Sequence, residues 1–289
     1  MANTTALKRR IGSVKNTRQI TKAMELVAAS KMRRAQDQAV QARPFRIAAH
    51  DLLRRIGGVS DVDKHPLFVS RAIKKRLTIV ITSDIGLAGA YDANVLKQMT
   101  KLLKDDVDQK IGSEVIAIGK KAAQLTGRLE GVDLIAAYPI FTNQPKASDI
   151  RPIVKMVLEK YESEEVDAVT IIYTSFVSSI KQDVATLDLL PTQLNSDKAL
   201  SELEVGIFEP SIESIVESAV ARLIEVQVWQ AVLESLASEH SSRMLAMKNA
   251  TDNASDIIDD LTLEFNTARQ AAITQEIAEI VGGAEAVSA

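Results

Sequence analysis

The chain contains no cysteine, so disulfides, thiolate metal sites and thiol nucleophiles are all excluded. Phe, Trp and Tyr make up only 4% of the residues, while hydrophobic residues reach 46%. Apolar mass carried by Ala, Ile, Val and Leu, not by large rings, points to helix–helix seams more than to a thick globular core. The three histidines, His50, His65 and His240, lie far apart and form no i, i+4 ligand pair. No eighteen-residue apolar run occurs, so no segment reads as membrane-spanning. The N-terminal stretch MANTTALKRRIG is basic and lacks the apolar core of a secretory signal, which makes a bacterial cytoplasm the expected compartment.

Glycine and proline are also missing from two long stretches. Neither occurs between Ser13 and Arg43, where Ile11, Val14, Ile20, Met24, Val27 and Met32 recur at helical spacing. The pattern predicts one long helix, kinked at Pro44 and continuing through Ile47, Ala48, Leu52, Leu53 and Ile56 to a stop at Gly57-Gly58. Neither residue occurs from Ser211 to Val281, a span worth on the order of 100 Å of helix. A heptad frame running from Val216 to Gln275 is apolar except at Gln230, His240, Thr251 and Gln275. A seam sustained that long predicts a left-handed coiled coil.

The net charge of −3 hides an asymmetry. Residues 1–50 hold eleven Lys and Arg against Glu25 and Asp37, whereas residues 210–289 hold thirteen Asp and Glu against Arg222, Arg243, Lys248 and Arg269. The N-terminal helix is the only other long one and its charge is opposite, which predicts that the two terminal helices pair, antiparallel, and that the longer C-terminal one outlasts its partner. Ile257, Ile258, Leu261, Phe265, Ile273, Ile277 and Ile280 would then be exposed, and such a helix asks for a partner protein.

Between the helices, apolar runs alternate with helical patterns. Strands are predicted at 76–82, 114–118, 133–137, 167–173 and 183–190, and helices at 90–104, 120–125 and 149–162. This alternation predicts a mostly parallel five-stranded sheet in a Rossmann-like three-layer α/β domain, with its last strand antiparallel after a hairpin. The expected division is residues 1–58 as the first coiled-coil helix, 75–195 as the α/β domain and 209–289 as the second helix.

Ser83-Asp-Ile-Gly-Leu-Ala-Gly89 follows the first strand, where a dinucleotide fold keeps its phosphate loop. It offers only GxxG, with neither G-x-G-x-x-G nor a P-loop pattern, and reads as a tight turn. No Ser/His/Asp set or H-E-x-x-H is present, and Asp259-Asp260 reads as a solvated helix face. The basic run Lys31-Met-Arg-Arg34 lacks interleaved aromatics, Phe45 being the only one in the first fifty residues, which argues against nucleic acid. Neither catalytic residues nor cofactor or metal ligands are expected.

Three blocks carry a specific resemblance. Arg10-Ile-Gly-Ser-Val-Lys-Asn-Thr-Arg-Gln-Ile-Thr-Lys-Ala-Met-Glu-Leu-Val-Ala-Ala-Ser-Lys-Met-Arg-Arg-Ala-Gln36 closely resembles the N-terminal signature of the gamma subunit of F-type ATP synthases. Residues 239–254, from Glu239-His-Ser-Ser-Arg-Met onward, are similar to that family's mid-helix block. Ala268-Arg-Gln-Ala-Ala-Ile-Thr-Gln-Glu-Ile-Ala-Glu-Ile-Val-Gly-Gly-Ala284 is similar to its C-terminal signature. The resemblance implies a non-catalytic central rotor shaft, turned by ion flow and driving the three beta sites through different states. It implies alpha, beta and epsilon subunits and a ring of c subunits as partners, at the cytoplasmic face of a bacterial membrane.

The family's contacts carry over position by position. Arg269, Gln270 and Thr274 match the shaft-tip positions that meet the alpha/beta ring. Met24, Lys22 and Lys31 match the region facing the acidic lever of beta. Phe208 and Glu209 match the foot that meets the c ring. The family commonly has Ser-Asp-Arg-Gly-Leu-Cys-Gly in the first turn; here Ile85 and Ala88 replace the arginine and the cysteine. Leu26 stands where Met is common.

Overall fold

The computed structural model describes residues 2–56, 65–141, 146–192 and 212–288. In chain order the elements are α1 (Ala2–Ile56), β1 (Lys75–Ile81), α2 (Tyr91–Asp108), β2 (Gly112–Ile118), α3 (Lys120–Thr126), β3 (Val132–Tyr138), α4 (Ala147–Glu162), β4 (Ala168–Phe176), β5 (Gln182–Leu190) and α5 (Ile212–Ser288). They form two compact units, Met1–Ala28 with Arg243–Ala289, and Ala29–Ser242.

The larger unit is built on a five-stranded sheet of order β3-β2-β1-β4-β5. β1 runs parallel to both β2 and β4, and β2 parallel to β3. β5 is antiparallel to β4, as the hairpin pattern predicts. The central strands are continuous runs of Val, Ile and Leu because both faces are covered. On one face Val80, Val115, Ala117 and Ile172 pack with Val95, Met99 and Leu103 of α2 and Ala122 of α3. On the other, Leu77, Ile79, Ile116 and Ile171 pack with Ile153 and Val157 of α4 and with Ile224, Val228 and Ala231 of α5.

That second face changes how α5 is buried. From Leu223 to Glu239 nearly every position is buried or half-buried, well beyond a heptad stripe. The coiled-coil frame accounts for one side of the helix only; the sheet and α4 cover the rest.

Charged groups stitch the amino ends of the strands. Arg71 stacks over the Tyr161 ring at 4.6 Å, pairs with Asp167 at 2.8 Å and donates to the carbonyls of Tyr161 and Val166. Glu114 at the start of β2 takes Lys75 and, at 3.1 Å, Lys160. Asp167 accepts the amides of Lys74 at 2.8 Å and Lys75 at 3.0 Å. Burial pushes its carboxyl up, but those two amides and Arg71 outweigh it and hold the group below the usual carboxylate range.

A depressed folded pKa contributes stability above the ordinary carboxylate value and loses it as pH falls through the lower folded one. The gap in urea midpoint between wild type and Asp167→Asn is therefore expected to be widest near neutrality and to close below about pH 4. A gap that stays constant from pH 7 to pH 3 would refute this account.

The smaller unit is a helix pair. The Thr251 hydroxyl donates to the Thr21 hydroxyl at 2.8 Å. Seven residues further along α1 this unit's first segment ends at Ala28, just as its second begins at Arg243, so the helices run antiparallel. On α1 Leu7, Thr21 and Ala28 are buried and Val14 half-buried, a row seven apart, with Ile11, Met24 and Glu25 half-buried beside it. On α5 they include Met247, Ala254, Ile258 and Leu261, all in the predicted heptad frame.

Two expectations need correction here. Ile258 and Leu261 are buried, and Phe265 is half-buried, because α1 still covers α5 at that height. Ile257, Ile273, Ile277 and Ile280 are exposed as expected. Ile20 and Val27, which mark α1 as helical, face outward at 61% and 56% exposure. The seam runs one residue on, through the polar Thr21. At its far end α5 runs through Gly282 and Gly283 to Ser288.

Candidate functional site

In an open α/β sheet a ligand sits beyond the carboxyl ends of the strands, where the strand order reverses. Here that place lies past β1 and β4, at the turn from Ser83 to Gly89. At its start the donors of Ser83 are already taken. The Ser83 amide and hydroxyl donate to the Asp92 carboxylate at 2.8 and 2.7 Å. Asp84 accepts the Lys120 amide at the start of α3, at 2.9 Å, and the Ile140 amide at 3.2 Å. A phosphate arriving here would meet the carboxylates of Asp84 and Asp92, the reverse of an anion-binding helix terminus. Leu87 and Gly89 adopt positive φ of 64° and 58°, which makes the turn tight. Ala88 is buried and Ile85 is 68% exposed, so the two departures from the family pattern fall on an inner and an outer position.

Among the described residues, no group of three His, Asp or Glu could hold a metal ion. No helix there is long and apolar enough to cross a membrane.

Within the helix pair, Arg269, Gln270 and Thr274 all lie on α5 and are exposed. Gln270 and Thr274, four residues apart, share a face, with Arg269 about 100° round from Gln270. Lys22 and Met24 lie on α1. Lys22 is exposed and held by Glu25 of its own helix at 3.0 Å, whereas Met24 is half-buried. Two residues apart on a helix, they point to roughly opposite sides. From the Thr21–Thr251 register, Met24 lies level with residue 248, so the two groups are separated by about 30 Å along the pair. Lys31 is half-buried and belongs to the larger unit. Phe208 and Glu209 lie outside the described residues.

The periodicity reading used Ile20 and Val27 as helix markers and did not single them out, with Leu26, as an exposed apolar set around Met24. The heptad Leu7-Val14-Thr21-Ala28 was the available signal, since it assigns the seam elsewhere and leaves these residues outside.

Residues 3–287 match the family model described as ATP synthase. The ATP synthase gamma chain of Cupriavidus metallidurans is 41% identical over 295 residues, covering 99% of this chain and all of that one. The ATP synthase gamma chain of Psychrobacter arcticus is 39% identical, with both chains covered completely. Among solved structures, a chain of the Tetrahymena thermophila mitochondrial ATP synthase central stalk and c ring aligns with a TM-score of 0.64 at 27% identity, covering 80% of this chain and 99% of that one. A chain of the Euglena gracilis mitochondrial ATP synthase aligns with a TM-score of 0.68 at 19% identity, covering 99% and 95%, and supports the fold. With the match spanning nearly every residue, and relatives near 40% identity aligned end to end, the chain belongs to the ATP synthase gamma-chain family.

Proposed function

We propose that the chain is the rotating central stalk of an F-type ATP synthase. It couples ion flow through a membrane c ring to ATP synthesis or hydrolysis in an alpha/beta hexamer. The observation that carries this reading is the antiparallel pairing of the two chain ends, with α5 presenting exposed apolar and polar residues beyond the reach of α1. A shaft must resist twisting, which long unbroken helices do, and it must be asymmetric, which the longer α5 supplies. Each shaft angle then interacts differently with the states of a surrounding site, which is all that a shift of populations requires.

In this reading the chain is non-catalytic, and the nucleotide chemistry belongs to the hexamer. Arg269, Gln270 and Thr274 meet the alpha/beta ring at the tip. Lys22, Met24 and Lys31 face the acidic lever of beta. Phe208 and Glu209 form the foot on the c ring, and epsilon binds the α/β portion. The functional division follows residues 1–58 with 209–289 as shaft and 75–195 as the domain it carries. The assembly sits at the cytoplasmic face of a bacterial membrane, with this chain peripheral.

Reconstitution tests the reading. The alpha and beta subunits of the same organism, mixed with and without the full chain, are assayed for a stable complex and for ATP hydrolysis. Rapid turnover is expected only with the chain present. Lys22→Glu and Arg269→Glu are expected to lower coupled synthesis by on the order of tenfold while leaving the chain folded. A chain that neither joins the complex nor changes turnover would leave a coiled-coil scaffold as the better reading.

A further inference from the structure

One stripe of α5 changes character partway along. Ile224, Val228 and Ala231 pack into the apolar core of the larger unit. The same stripe continues, at helical spacing, as Ser235, Ser238 and Ser242. The change coincides with a change in the sheet. β4 pairs with β1 only as far as Ile172, and its last residues run on beside β5 alone. Beyond that point a buried strand edge needs new partners for its backbone groups.

The serines supply them. Ser235 Oγ accepts the Thr174 amide at 3.2 Å, and the Ser238 hydroxyl donates to the Thr174 carbonyl at 3.2 Å. One strand residue therefore has both its backbone groups held by one face of the helix. The grip continues round the hairpin. Ser175 donates to Glu234 at 2.8 Å, Ser241 donates to the Ser179 carbonyl at 2.7 Å, and Ser242 donates to the Gln182 side-chain oxygen at 3.1 Å. Ser235, Ser238 and Ser241 are fully buried.

Apolar contact is non-directional and changes little when two surfaces slip by an ångström. Hydrogen bonds lose most of their strength over such a displacement. The upper part of the stripe thus provides adhesion, and the serine part provides register.

We infer that this serine stripe is a mechanical lock: it fixes the axial and rotational register between α5 and the β4–β5 hairpin, so that load entering through the sheet reaches the helix without slip. The inference rests on the rotor reading above, which supplies the load that the joint carries.

Two variants of the full chain test it, Ser235→Ala/Ser238→Ala and the milder Gln182→Ala/Ser242→Ala. In amide hydrogen exchange, peptides covering 174–182 are expected to exchange on the order of tenfold faster in each variant, with 77–81 unchanged. In the membrane-reconstituted complex, ATP hydrolysis without an opposing gradient should match wild type. Ion pumping per ATP should fall as the opposing gradient rises, and Ser235→Thr should retain wild-type coupling. Unchanged exchange, or faster exchange with full pumping against the gradient, would overturn the lock. If the wild-type chain itself fails to couple, the rotor reading falls and the lock with it.

Discussion

Gly119→Ala is expected to cost roughly 3–5 kcal/mol, enough to consume much of the stability of the α/β portion. Gly119 ends β2 at a φ of 102°, a conformation that L side chains rarely adopt. An added Cβ would lie 2.1 Å from the Thr82 carbonyl oxygen and 2.8 Å from its hydroxyl. Neither atom can move away. The Thr82 amide is bonded to the Ile118 carbonyl at 2.8 Å, and its hydroxyl accepts the Ala122 amide at 2.9 Å. Urea unfolding is the measurement, with Gly131→Ala as the control. Gly131 also has positive φ, 78°, but nothing lies within 4 Å of its added Cβ, so its loss should stay near 1 kcal/mol. Equal losses at the two positions would show that backbone strain, not the clash, sets the cost.

Asp106→Ala should be nearly as damaging, at about 3–5 kcal/mol. Asp106 is 1% exposed and accepts from Arg76 Nε at 3.0 Å. Burial pushes its carboxyl pKa up, and Arg76 pulls in the opposite direction without overcoming it. Removing the carboxylate leaves the largely buried Arg76 with Thr170 at 3.3 Å as its remaining side-chain acceptor. Desolvation makes such a pair costly to break and not especially profitable to keep. Arg76→Met/Asp106→Leu is therefore expected to recover most of the loss in the same unfolding experiment. If the double variant is as unstable as Asp106→Ala, the orphaned guanidinium is not the cause.

Much of the sheet was legible because buried parallel strands have an unmistakable composition. Thr78-Ile-Val-Ile81 and Val115-Ile-Ala-Ile118 can hardly be anything else. The misreadings occur where burial comes from elements distant in the chain. Ile20 and Val27 fit a helix but not its seam, because the position of the seam depends on register with α5. The burial of Leu223 to Glu239 all round reflects a sheet that a heptad frame does not include. α5 passes through Gly282 and Gly283 although each costs about 1 kcal/mol relative to Ala. The candidate contact residues were legible in a different way. Arg269, Gln270, Thr274, Lys22 and Met24 stand out through resemblance, because exposed residues on a long helix leave no periodic signature of what touches them. The serine stripe was printed in the sequence but carried no meaning until β4 was seen to outrun β1.

The antiparallel helix pair also sets the order in which the protein can be made. Thr21 and its partner Thr251 are 230 residues apart. At a synthesis rate of about 5–20 residues per second, the amino-terminal helix leaves the ribosome roughly 10–50 s before the segment that will cover it exists. For that interval Leu7, Val14 and Ala28 have no mate, and the α/β portion between lacks the α5 residues that complete one face of its sheet. The helix pair thus closes only after the whole α/β portion has been made, and its closure reports that translation has passed Thr251.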